Sequence, residues 1–215
     1  MKKRIVCFGD SNTWGYIPVT SERYDETIRW PARLQDKLGY TDYTVVEEGL
    51  TGRTTVFDDP FDPDLNGMKV MPAVLRTAAP IDVLVFMLGT NDFQSNIPAG
   101  NPISTARAVQ YMLETARKLG LDRPGEKMKI LLISPIEITE DRLTFKENDV
   151  TDATSIANSR ALGKCLAIVA QQLGVDFIDA AQYIKPSKVD GVHLDEAGHA
   201  KMAELVYEKL QSMLS

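Results

Sequence analysis

A few short stretches carry residue types that could do chemistry together. Gly9-Asp10-Ser11-Asn12 sets a serine hydroxyl directly after an apolar run, Ile5-Val6-Cys7-Phe8. A serine hydroxyl is barely ionised at neutral pH, so a nucleophilic serine needs a base, most often histidine. The chain has two histidines. His199 falls in a helical pattern, Glu196 to Met213, where a surface or packing role is the commoner one. His193 falls on a loop, with Asp190 one tight turn before it. From there a carboxylate can accept the Nδ1 proton of the imidazole, which fixes the tautomer and leaves Nε2 free for the serine proton. Acyl transfer also needs donors for the developing oxyanion. The Ser11 N–H, the amide of Gly52 and the side-chain amide of Asn91 are candidates. Taken singly, each has a plain structural reading too: Ser11 as a helix N-cap, Asp190-Gly191 and Gly52 as turns, Asn91 as a turn or cap. The Gly-x-Ser-x-Gly spacing of a nucleophile elbow is absent.

The elements that must position these residues are legible from hydrophobic periodicity. Strand candidates recur at 4–9, 43–48, 82–88, 128–134 and 175–178. Helical patterns lie between them at 30–38, 68–78, 103–119, 152–173 and 195–213. This alternation predicts an α/β fold, a parallel sheet with helices on both faces. Val83–Leu88 and Ile130–Ile133 are apolar throughout, the mark of strands covered on both sides. Gly120 and Gly174 are the expected stops of their helices, and Asp195 the expected cap of the last one. Each candidate residue follows a strand, and the carboxyl edge of an open parallel sheet is where ligands bind. Positions 11, 52, 91, 190 and 193 are therefore expected to meet on one rim.

Composition bounds the rest. The net charge of −6, with no basic stripe, argues against a nucleic-acid partner. Lys2-Lys3-Arg4 precedes an apolar run, but that run ends at Asp10, too soon for a secretory signal, and no stretch is long enough to span a membrane. Cys7 and Cys165 read as small core residues without metal or redox spacing. A cytoplasmic protein is expected.

Gly9-Asp10-Ser11, Gly52, Gly89-Thr90-Asn91-Asp92 and Asp190-x-x-His193 together resemble the blocks of the SGNH (GDSL-type) hydrolase family, from residue 4 to about 205. The longer strings Cys7–Gly15, Glu47–Thr55, Asp58-Asp59-Pro60, Leu65-Asn66-Gly67 and Met87–Asp92 resemble its arylesterase/acyltransferase branch. The resemblance implies a single hydrolase domain over residues 1–215. Its implied fold is a flavodoxin-like three-layer α/β/α sandwich around a central five-stranded parallel sheet. It also implies a serine esterase with Ser11, His193 and Asp190 catalytic and an oxyanion hole of Ser11, Gly52 and Asn91. No metal or organic cofactor is implied. Members of that branch hydrolyse small-molecule esters, can pass the acyl group to alcohols or peroxide, and can assemble as homo-oligomers. Asn12 departs from the pattern, since many relatives carry Leu there; it is more polar, which leaves the shape and polarity of the acyl pocket open. The rival reading is a non-catalytic flavodoxin-like module that binds a phosphate or flavin at its first loop, although that loop lacks glycine-rich dinucleotide spacing.

Other residues are weighed with both readings open. Trp14 either walls the acyl pocket, as a substrate-binding residue, or packs under the first helix. The acidic loop 58–64 reads as a solvated turn or subunit contact. Asp10 is expected to shape the serine turn. Segments 93–102 and 137–151 are expected to rim the substrate site or make subunit contacts. Glu47 and Glu48 need a partner if buried, with Arg53 the candidate.

Overall fold

The structure, a computed structural model, describes residues 2–97, 99–146 and 150–214. Strands β1 (Lys3–Gly9), β2 (Tyr43–Gly49), β3 (Val83–Met87), β4 (Lys129–Ser134) and β5 (Asp176–Asp179) form one sheet in the order β2-β1-β3-β4-β5. Every pairing is parallel. The helices are α1 (Ser11–Trp14), α2 (Trp30–Leu38), α3 (Gly67–Ala78), α4 (Pro102–Lys118), α5 (Asp141–Thr144), α6 (Ala153–Leu173) and α7 (Glu196–Leu214). The five strands and five long helices fall within about one residue of the periodic patterns, as expected when burial rather than propensity sets an element. Strand order and layering are those of the flavodoxin-like α/β/α sandwich.

The unbroken apolar runs have a simple cause. Successive side chains of a strand point to opposite faces, and both faces are covered here. Val6, Phe8, Leu84, Phe86, Ile130 and Leu132 meet side chains of α3, α4 and α6 on one side. Ile5, Cys7, Val83, Val85, Leu131 and Ile133 meet those of α2 and α7 on the other. Each large apolar side chain so buried contributes about 1.5–3 kcal/mol. Cys7 is buried between layers, whereas Cys165 is only half-buried against the first cluster.

Helix ends follow local chemistry. The Asp195 carboxylate accepts the Gly198 N–H at 2.8 Å and caps α7. Asp152 and Ser155 make a reciprocal capping box on α6. Helix α4 ends at Lys118, with Leu119 as its cap, just short of Gly120. Among the described residues, no helix is long and apolar enough to cross a membrane.

From β1 the chain moves outward to β2, then returns past β1 to β3. That reversal opens a crevice at the carboxyl ends of β1 and β3. Gly9 lies in register with Gly49 on one side and Met87 on the other. The segments that follow these three strands therefore leave the sheet at one level.

Candidate active site

Ser11 begins α1, but the cap of that helix is Asp10. Asp10 has extended backbone geometry, and its Oδ1 accepts the Asn12 N–H at 3.0 Å. The capping task thus falls to the aspartate and leaves the serine hydroxyl free. Ser11 Oγ lies 2.9 Å from His193 Nε2. His193 Nδ1 in turn lies 2.5 Å from Asp190 Oδ2. The other carboxylate oxygen of Asp190 accepts the amides of Val192 and His193 at 3.2 and 3.1 Å. Asp190 is fully buried. Burial pushes its carboxyl up, but the bonds from the His193 imidazole, the imidazole charge and the two amides outweigh that and hold it below the usual carboxylate range.

On the other side of the serine lie the oxyanion-donor candidates. Gly52 has φ of 80°, the left-handed region that glycine adopts freely. Among the described residues, neither the Gly52 N–H nor the Ser11 N–H has a protein acceptor. The Asn91 amide is oriented at both ends: Nδ2 donates to the Arg53 carbonyl at 3.0 Å, and Oδ1 accepts from Gln94 Nε2 at 3.0 Å. One Nδ2 hydrogen is thereby left over for a ligand. Ser11, Gly52, Asn91 and His193 all line one cavity of about 180 Å³. A larger, shallower depression of about 460 Å³ lies between β5 and α7 and is lined by neither Ser11 nor His193.

This arrangement can do nucleophilic acyl chemistry: a hydroxyl on a base, the base oriented by a buried carboxylate, and free donors beside the hydroxyl. Comparison with known proteins agrees. Residues 7–201 match the GDSL-like lipase/acylhydrolase family. The chain belongs to this family. It resembles the native aryl esterase of M. smegmatis with a TM-score of 0.87 at 32% identity, covering 98% of this chain and 99% of that one. It resembles a carbohydrate acetylesterase from Sinorhizobium meliloti with a TM-score of 0.88 at 30% identity, covering 99% and 100%. An acetylxylan esterase of Xylanibacter ruminicola is 29% identical over 221 residues, which is 94% of this chain but 42% of that protein.

Several residues of this GDSL-family chain take places that sequence reasoning did not foresee. Asn12 is buried and is not among the residues lining the cavity. Its Nδ2 donates to the Val192 carbonyl at 3.2 Å, and its Oδ1 accepts the Leu194 N–H at 2.8 Å. It therefore clamps the backbone on both sides of His193. The departure of Asn12 from the resembled pattern was the available signal, but no local pattern links residue 12 to residue 193. The Tyr16 ring packs on the His193 imidazole at 4.4 Å between centroids. Trp14, expected at the pocket wall or under the first helix, does not line this cavity. It sits under the Arg23 guanidinium at 5.4 Å, and its carbonyl accepts from Arg23 Nε. Residues of both long loops, among them Phe93, Gln94, Ile138, Arg142 and Thr151, do line it.

Glu48 is half-buried, and while burial pushes its carboxyl up, the nearby Arg53 charge pulls it down, as expected for that pair; Glu47 departs from expectation. Glu47 pairs with Arg29 and Arg23, not Arg53. Arg53 is buried and donates to the carbonyls of Gly9 and Glu48, tying β1 and β2 together where the serine turn begins. Asp92 accepts the Thr55 amide at 2.8 Å and its hydroxyl at 2.6 Å, which joins the loop after β2 to the turn carrying Asn91. Burial pushes the carboxyls of Asp10 and Asp92 up to about 6. In the acidic loop, Asp58 pairs with Lys69, and Asp59 accepts from Phe61, Asp62 and Asn96.

Proposed function

We propose that this chain is a serine carboxylic-ester hydrolase that works through an acyl-enzyme on Ser11. The observation that carries the reading is the unbroken hydrogen-bonded line Asp190–His193–Ser11 beside donors with no protein acceptor among the described residues. Ser11 Oγ attacks the ester carbonyl as His193 Nε2 takes its proton. Charge develops on the carbonyl oxygen, which accepts from Ser11 N–H, Gly52 N–H and Asn91 Nδ2. The tetrahedral intermediate collapses as His193 returns the proton to the leaving alcohol. Water then repeats the sequence on the acyl-enzyme, and the acid departs. Asp190 keeps the imidazole in the tautomer that leaves Nε2 unprotonated, and stabilises the imidazolium between steps.

A cavity of about 180 Å³ suits a short acyl group better than a long chain. Acetyl esters of phenols or sugars are the substrates proposed, in line with what the aryl esterase and acetylesterase relatives are named for. Another alcohol, or peroxide, replacing water in the second half would give acyl transfer. The rival flavin- or phosphate-binding module leaves His193, Asp190 and Asn91 without a task.

The test is covalent labelling and turnover together. A fluorophosphonate probe is expected to label Ser11 once per chain. Ser11→Ala is expected to lose the label and about 10⁴-fold or more of p-nitrophenyl acetate turnover while staying folded. Octanoate should turn over more slowly than acetate. An unlabelled, folded wild type that leaves p-nitrophenyl acetate intact would overturn the reading.

A further inference from the structure

The cavity wall carries a charge that the mechanism leaves idle. Among the described residues, Arg142 is the permanently charged side chain lining it. Arg142 is half-buried, and within the described residues its guanidinium makes no ion pair and no hydrogen bond. Its Nε is shut off from solvent without an acceptor. Its contact is the ring of Phe145, 5.3 Å from guanidinium carbon to centroid. Other sheltered arginines are treated differently: Arg29 is paired with Glu47, Arg123 with Asp82, and Arg53 with two carbonyls. A guanidinium held partly out of water with no counter-charge is costly unless something else brings the charge.

Its place relative to the reacting atoms is set by backbone. The Arg142 N–H donates to the Thr139 carbonyl at 3.0 Å, and the Thr139 N–H donates to the Gly191 carbonyl at 2.8 Å. A Cβ on Gly191 would come within 2.5 Å of the Arg142 amide nitrogen, so this turn rests flush on the loop that carries His193. In the proposed reaction the carbonyl oxygen goes to Gly52 and Asn91, and the leaving oxygen must face His193. The turn that carries Arg142 is thus packed on the His193 loop, the base from which the leaving oxygen takes its proton.

We infer that Arg142 is an anion subsite for the alcohol part of the ester, so that the favoured substrates are esters of a phenol or sugar alcohol that itself bears an oxyanion. Its planar fork of donors matches a carboxylate bidentately, and a sulfonate or phosphate through two of its oxygens. The inference rests on the esterase reading and names its substrate class.

The experiment compares kcat/KM for 4-acetoxybenzoate, 4-acetoxybenzenesulfonate and the neutral methyl 4-acetoxybenzoate, in wild type, Arg142→Gln and Arg142→Lys. Differences in leaving-group reactivity cancel when each anion-to-neutral ratio is compared between enzymes. The ratio is expected to fall about tenfold in Arg142→Gln, the size of a partly exposed charge-assisted pair. Arg142→Lys should recover much of it, more for the sulfonate than for the bidentate carboxylate. The larger loss identifies which oxyanion the subsite fits. A fall of all three esters in step, with the ratio unchanged, would show Arg142 to be structural and overturn the inference alone. A wild type that hydrolyses none of the three overturns the esterase reading and this inference with it.

Discussion

At the scale of single residues, the site depends on groups whose free valences are chosen by their neighbours. Asn91 is the clearest case. One hydrogen of its amide goes to the Arg53 carbonyl and its oxygen is engaged by Gln94. The remaining hydrogen is aimed by those two bonds, with no reorganisation needed when charge develops. Asn91→Ala is expected to lower kcat for p-nitrophenyl acetate by about 10²–10³ with little change in KM, because the donor matters to the oxyanion more than to the resting carbonyl. Steady-state kinetics on the folded variant decides it; a change confined to KM would overturn the proposed oxyanion-hole role of Asn91. Asp10 shows the same economy, since by capping α1 it leaves the neighbouring serine hydroxyl to His193.

At the scale of elements, the question is how a loop after β5 holds its histidine against a turn after β1. Asn12 answers it through one donor and one acceptor, to Val192 and Leu194. Removing both bonds with an apolar side chain of similar size leaves two sheltered backbone groups unpaired, at about 1–3 kcal/mol. It also loosens the imidazole relative to Ser11, and small misplacements of this kind are expensive in rate. Asn12→Leu is therefore expected to lower kcat about tenfold while KM stays within about twofold. A purely structural role for Asn12 would move the melting temperature and leave kcat in place. On the other flank, Asp92 joins the loop after β2 to the turn after β3, and Arg53 ties the ends of β1 and β2. The rim is thus cross-braced between strand ends rather than within any one loop.

At the scale of the whole molecule, buried ionisable groups couple folding to pH in opposing directions. His199 on α7 is wholly buried; its Nδ1 accepts the Trp30 N–H at 3.4 Å and its Nε2 has no partner among the described residues. Burial, with help from Arg33, pushes its imidazole down to about 4 from the ordinary 6.5. The unfolded chain takes up this proton first, so stability through His199 is complete above pH 6.5 and lost as pH falls toward 4. Asp10 and Asp92 act the other way. Their carboxyls are raised from 3.8 to about 6, so their contribution is complete below 3.8 and lost as pH rises through 6. Urea melts of wild type and His199→Asn at pH 7 and pH 4.5 separate the two. The wild type should lose about 2–3 kcal/mol more than the variant on acidification, apart from any constant difference between them. Parallel pH profiles would mean that His199 is not held neutral.

The elements, and Ser11, Asp190 and His193 as candidates, are legible in the residue string alone. Both are local matters: burial writes a period of two or a continuous apolar run into each strand, and a carboxylate one tight turn from an imidazole is visible in the string. Which groups meet is fixed only when the strands are assembled. Asn12 finds Val192 and Leu194, Glu47 finds Arg29 instead of Arg53, Trp14 goes to Arg23 rather than the pocket, and Arg142 lines the cavity with no counter-charge among the described residues. The Asn12 contacts are settled by where the segments after β1 and β5 come to rest on the sheet. Partners so far apart along the chain leave no periodic trace in it, because the distance between them exists only once the strands are in order.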